Sequence, residues 1–166
     1  TTTSGIELSS GELEINAIPR LANDIENKWD LQLGSTPMNL EINAGAYQGR
    51  YELGGLALTG LDISDGAADV EVNFAEANLV EMGTLRYGTG ASQVSLTGLG
   101  NANFDELIFR GGAGDYTLDF GENLLRDGRV DVEVGISSLR IVAPESANVQ
   151  VIVSGGLSSV SASGAW

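Results

Sequence analysis

Carboxylates are the main reactive chemistry in this 166-residue chain, which carries 23 Asp and Glu but no His and no Cys. Two groupings suggest uses for them. The stretch GGAGDYTLDF, residues 111–120, resembles the calcium-binding nonapeptide G-G-x-G-x-D-x-U-x. That motif needs Asp at its sixth position, where this chain has Tyr116, while Asp115 falls one early. It also needs repetition every nine residues, and the equivalent positions around the other glycine turns, Gln48, Gln93, Ser138 and Ser159, bring no acid but Asp69. The better local set for an isolated hard cation is Asp62, Asp65 and Asp69, since calcium takes oxygen ligands from loops. The second grouping is Glu41 with Asp62, a carboxylate pair of the kind that does acid–base work on glycans. Arg86 follows them in the same repeat position and more simply neutralises them.

What is missing narrows the chemistry further. Without His there is no usual general base, zinc ligand or neutral-pH switch. Without Cys there is neither thiolate nor disulfide. No G-x-S-x-G elbow and no phosphate loop occurs. The expectation is no catalytic residue and no cofactor. With 8 Lys and Arg the formal net charge is −15, which disfavours nucleic acid and anionic membrane surfaces. No apolar run approaches the roughly 20 residues of a membrane span, so direct membrane insertion is not expected.

The elements that carry these residues emerge from a repeat. Marker glycines stand at Gly45, Gly66, Gly90, Gly112, Gly135 and Gly156, spaced by 21, 24, 22, 23 and 21 residues. Five before each marker come Leu40, Leu61, Leu85, Leu107, Val130 and Val151, and three before come Ile42, Ile63, Tyr87, Phe109, Val132 and Val153. Four after come Gly49, Val70, Val94, Tyr116, Leu139 and Val160, and six after come Tyr51, Val72, Leu96, Leu118, Ile141 and Ala162. Of these 24 positions 23 are apolar, Gly49 being the exception; about 10 are expected at the chain's apolar background. The column between the last two, from Arg50 and Glu71 to Arg140 and Ser161, is wholly polar.

Each unit therefore reads as two short strands, each buried on one face, around a glycine corner. One unit cannot bury its own face, but stacked units can. The expected fold is all-β: a single-domain β-solenoid (β-helix) of about six to seven coils with a roughly 22-residue repeat, spanning residues 1–166. A leucine-rich repeat, suggested by LGGLALTGLDI, fails because Leu61 fills the required Asn position. The corner glycines are expected to adopt positive φ, and a small residue after the marker, as at Ala46, Ala67, Ala91 and Ala113 though not at Ile136 and Leu157, is expected to let the corner fold inward. Residues 1–38 form the N-terminal coil and cap, and 39–166 the repeat stack. Ile6 and Leu8, with Leu13 and Ile15 after Gly11, read as one more coil with a shorter turn, followed by a polar interruption from Pro19 to Asn27.

With the repeat in place, a family becomes recognisable. KWDLQL, then MNLEINAGAYQGRYELGGLALTGLDISDGAADVEVNF, with its G-A-x-x-apolar-x-apolar turns and LGGLALTGLDIS (residues 53–64), resembles bacterial toast-rack and LiaF-like domains, close to the DUF4097-type adhesins. The similarity covers most of residues 29–164. It implies a β-helical domain of the bacterial envelope, often exported, and it carries no active-site residues over.

The resulting expectation is a non-enzymatic, adhesin-like binding or spacer module, extracytoplasmic and bacterial, whose partner is a protein or glycan at the cell surface. The opening TTTSG, without Met, fits processing for export. The rival is a structural subunit that self-assembles into a filament or sheath, a homo-oligomer joined through the solenoid ends. A glycan hydrolase or lyase using Glu41 and Asp62 comes third. Trp29, near the N-terminal cap, and Trp166, directly after the last coil, are the candidate partner contacts.

Overall fold

The computed structural model describes residues 30–122 and 124–147 in full, and 5–9 and 12–17 by their backbone. Eight strands form one sheet: β1 (Gly5–Ser9), β2 (Glu12–Ala17), β3 (Met38–Glu52), β4 (Leu58–Asn73), β5 (Met82–Thr97), β6 (Phe104–Asp119), β7 (Arg129–Val134) and β8 (Ser137–Val142). The strands β3 to β6 are each one coil bent at its glycine, and β7 with β8 is the fifth. Every coil pairs in parallel with the next. The architecture is a β-solenoid of five coils among the described residues. The sixth corner, Gly156, with Val151, Val153, Val160 and Ala162, lies outside the described residues, as do Trp29 and Trp166.

The ladders follow the apolar columns residue for residue. On the first limb Leu40 pairs with Leu61, Leu61 with Leu85, Leu85 with Leu107 and Leu107 with Val130. On the second, Val70 pairs with Val94, Val94 with Tyr116 and Tyr116 with Leu139. Alternation turns these side chains inward, where those of the first four coils form one continuous core, while Val130 and Leu139 of the fifth coil are exposed. Register is firm because a one-residue slip would turn every one of them outward. Tyr87 stacks on Phe109 at 5.6 Å between ring centroids, and Phe109 meets Tyr116 edge-on at 5.1 Å.

Two expectations are corrected. The corner glycines are not at positive φ; among the described residues the positive-φ glycines are Gly55, Gly98, Gly114 and Gly121. The corners need glycine because the coils touch there. A Cβ on Gly66 would sit 2.8 Å from the Gly45 carbonyl oxygen, and one on Gly135 2.7 Å from that of Gly112. Gly90 and Gly112 meet the carbonyls of Gly66 and Gly90 more closely still. The residues after the markers also point outward, which is why Ile136, 91% exposed, is tolerated in that column.

The second correction is at the N-terminus. Rather than a short coil, β1 and β2 form an antiparallel hairpin, with Ile6 opposite Ile15 and Leu8 opposite Leu13. Its second strand runs parallel to β3, so Leu13 and Ile15 join the columns of Leu40 and Ile42. A two-residue connection reverses the chain, whereas parallel strands need a long crossover.

The third side of each coil is not strand, and asparagines serve its backbone. Buried Asn78 accepts from Leu58 N at 2.8 Å and donates to the carbonyls of Leu58 at 2.7 Å and Val80 at 2.8 Å. Asn101 donates to Phe74 O at 2.9 Å and Asn103 to Val80 O at 3.0 Å. These amides replace ladder bonds that an irregular segment would otherwise leave unmade.

Candidate functional site

The polar chemistry converges inside the corner between the two limbs. The position just before each marker glycine is the third inward position of the first limb, and it runs Ala44, Asp65, Thr89, Gly111, Val134. Asp65 is 8% exposed. Three hydroxyls of the next coil surround its carboxylate: Tyr87 OH donates to Oδ2 at 2.7 Å, and Thr89 Oγ1 and Ser92 Oγ (3.2 Å) meet Oδ1. Thr89 and Ser92 also contact each other at 2.5 Å, and Ser92 Oγ accepts from Ala68 N at 2.9 Å. A carboxylate removed from water is tolerated only when hydrogen-bonded or paired. Here hydroxyls serve in place of water, and no arginine reaches Asp65 among the described residues.

All four tyrosines of the chain contribute to this interior. Burial, the Asp65 hydrogen bond and the nearby negative charge push the Tyr87 phenol far above its ordinary value. Burial raises Tyr47, Tyr51 and Tyr116 as well, and the Asp65 charge adds to each. The hydroxyls of Tyr47 and Tyr116 are enclosed and have no hydrogen-bond partner among the described residues. Glycines make room for the rings. A Cβ on Gly49 would lie 2.6 Å from Tyr47 Cε2 and 2.9 Å from Tyr51 Cε2, and one on Gly111 2.6 Å from Tyr116 Cε2. That accounts for Gly49 as the one exception in the apolar grid.

The segment that resembled a calcium loop resolves into three separate needs. Gly111 gives way to the Tyr116 ring and Gly112 to the Gly90 backbone. Gly114, at φ 151°, lies against the Ser92 carbonyl. Asp115 is exposed and Tyr116 is core.

With that geometry established, comparison with known families becomes informative. Residues 3–83 match the family model described as the N-terminal domain of toast_rack, DUF2154. The chain carries a toast-rack-like domain. No curated protein and no solved structure matches it. Within the toast-rack-like domain the matched segment contains Asp65, while its partners Tyr87, Thr89 and Ser92 lie just beyond, on the following coil.

The toast-rack-like domain does not bring the three calcium candidates together. Asp62 points outward to Arg86 at 2.9 Å, Asp65 is enclosed by hydroxyls, and Asp69 is exposed on the second limb. Among the described residues no group of three or more acids is placed to hold a metal. Glu41 and Asp62 are ladder neighbours, but Glu41 accepts from Asn43 Nδ2 at 2.7 Å and Asp62 is held by Arg86. Arg50 and Glu71, neighbours in the polar column, form a surface ion pair at 2.6 Å. Asp65 as an internal anchor lies outside the four apolar columns, in the position before each marker, where no other coil repeats the acid. The signal was there: two residues beyond the inward Ile63, alternation places Asp65 inside as well.

Proposed function

We propose that this toast-rack-like domain is a non-enzymatic binding and spacer module, exported to the bacterial cell envelope and adhesin-like in use. The observation that carries this reading is how the reactive groups are spent. Asp65 is enclosed by hydroxyls, and Arg50, Arg86 and Arg110 bridge to carboxylates on the adjoining coil. What remains outward is a set of flat ladders on a rigid stack, a form suited to display and recognition. Five coils at about 4.8 Å each make a body roughly 24 Å long. The −15 charge keeps such a surface soluble and suits a salt-rich exterior.

The test combines light scattering over a wide concentration range, electron microscopy, and fractionation of the tagged natural gene product in its host. Monomeric bodies recovered outside the cytoplasm support the proposal. End-to-end polymers would replace it with the filament reading. Cleavage of anionic glycans that disappears in Glu41→Gln or Asp62→Asn would replace it with the enzyme reading.

A further inference from the structure

The connecting side of the solenoid differs from the two ladder faces. Its segments 74–81 and 120–128 are the long ones, and between them lies the short 3₁₀ turn Leu99–Ala102. Both long segments grip that turn from opposite sides. Asn78 N donates to Asn101 O at 2.8 Å, and Leu125 N donates to the preceding carbonyl, Gly100 O, at 3.2 Å. Arg126 then reaches across, with Asp105 at 2.5 Å and Glu81 at 3.6 Å. The two walls are thus two coils apart, about 10 Å, with the shorter turn filling the space between them.

These walls carry leucine where water would favour polar residues: Leu79 is 61% exposed, Leu124 42% and Leu125 48%. Single exposed leucines are ordinary, but an apolar group with a polar rim marks an interaction site. The rim is acidic, since Glu76, Glu122 and Asp127 stand on the same two segments and are exposed. We propose that this side docks a polypeptide segment whose leucine-like side chains are flanked by lysine or arginine. The proposal rests on the binding-module reading and names the chemistry of the partner. Charge complementarity selects that partner. A second copy would bring acid against acid, because five of the six described arginines already sit in ion pairs. An anionic lipid surface is repelled by the same carboxylates.

The probe is a labelled amphipathic peptide of leucine and lysine, titrated into the full chain and followed by anisotropy and backbone amide shifts. Saturable binding is expected, with shifts confined to residues 74–81, 98–103 and 120–128. The combined Leu79→Ser, Leu124→Ser and Leu125→Ser variant should weaken it by about tenfold or more. Asp69→Asn with Asp115→Asn, at the remote corner, should leave it unchanged, and a leucine–glutamate peptide should not bind. Should the leucine variant melt early, Glu76→Gln with Glu122→Gln and Asp127→Asn provides the second arm, again with weakened binding expected. The proposal is overturned if the leucine variant binds as well as the parent, or if the shifts spread along the acidic ladders. It is equally overturned if the leucines prove to drive dimerisation or adsorption to zwitterionic vesicles. Each of those results leaves the non-enzymatic binding and spacer reading standing, whereas end-to-end polymers or glycan cleavage would remove that reading itself.

Discussion

Raising the pH should unfold this protein through its tyrosines. An unperturbed phenol ionises near pH 10. In the folded chain burial, reinforced by Asp65, pushes Tyr87 far above that value, and burial raises Tyr47, Tyr51 and Tyr116 in the same direction. The folded state keeps these protons while the unfolded state releases them. Their stabilisation is therefore complete below about pH 10 and is lost as pH rises from there toward the folded values. At pH 12 a fully retained proton opposes about 2.7 kcal/mol of unfolded-state ionisation. Tyr87 is fully buried and contributes all of it. Tyr47 is half-buried, and discounting it by half leaves about 1.4 kcal/mol. Those two alone remove about 4 kcal/mol, against a typical domain stability of about 5–15 kcal/mol. The assay follows phenolate absorbance and far-ultraviolet circular dichroism together. Both should stay flat through pH 10 and then change in one cooperative step. Four phenolates appearing near pH 10 with the β signal intact would refute the reasoning. Tyr87→Phe sharpens it further. It should lower stability at neutral pH by about 1.5–3 kcal/mol, since Asp65 loses a donor, yet the deficit should shrink as the pH passes 11.

Asp65→Ala takes the acceptor from the buried Tyr87 hydroxyl, leaves Thr89 and Ser92 bonded to each other, and opens a space in the corner; it should cost about 3 kcal/mol in urea melts, whereas Asp62→Ala, on the solvent face, should cost at most about 1 kcal/mol. Equal losses would refute the distinction between the two. Gly66→Ala drives a Cβ to within 2.8 Å of the Gly45 carbonyl and should destabilise by about 1–3 kcal/mol. Gly88→Ala, with nothing within 4 Å, should be neutral or better by the same melt. Calcium in excess over chelator should leave the melting temperature unchanged beyond ionic-strength controls, because Asp62, Asp65 and Asp69 face different ways; a specific rise would reverse that conclusion.

The register was legible because its signal is repeated. Coil after coil places apolar side chains at the same four offsets, Gly49 excepted, so Leu61 and Leu85 announce their pairing without any neighbouring structure. The glycine markers were legible as positions and illegible as causes. Periodicity locates Gly66, but only the stacked coils reveal that the Gly45 carbonyl occupies the space a side chain would take. The hairpin was hidden because Ile6, Leu8, Leu13 and Ile15 alternate alike in a coil and in an antiparallel pair; only connection length separates the two. Asn78 carried no signal at all, since its three backbone bonds depend on the irregular third side of the coil, where the apolar columns do not run. Asp65 was visible as an acid and hidden as a core residue. Its partners belong to the next coil, and the column runs on through Thr89 there and Gly111 one coil further rather than repeating the carboxylate.

That placement bears on where the folding unit ends. The toast_rack match stops at residue 83, one residue into β5, which begins at Met82. A chain cut there would retain Asp65 and lose Tyr87, Thr89 and Ser92, its three donors. It would also uncover one side of Leu58, Leu61, Ile63, Val70, Val72 and Phe74, all buried against β5 or the segment after it. Half of the roughly 1.5–3 kcal/mol that each such side chain gains on burial comes to about 6 kcal/mol over the six. Together with a stranded carboxylate, that equals or exceeds the whole stability of an ordinary domain. In a solenoid each coil is held by its neighbours, so the loss is not made good elsewhere. Residues 1–83 expressed alone should therefore show no cooperative melt, and extension to residue 103 should restore one by adding the third coil. A sharp two-state transition in the 1–83 fragment would show that the family boundary is a folding boundary, and that the Asp65 network is not what joins the two parts.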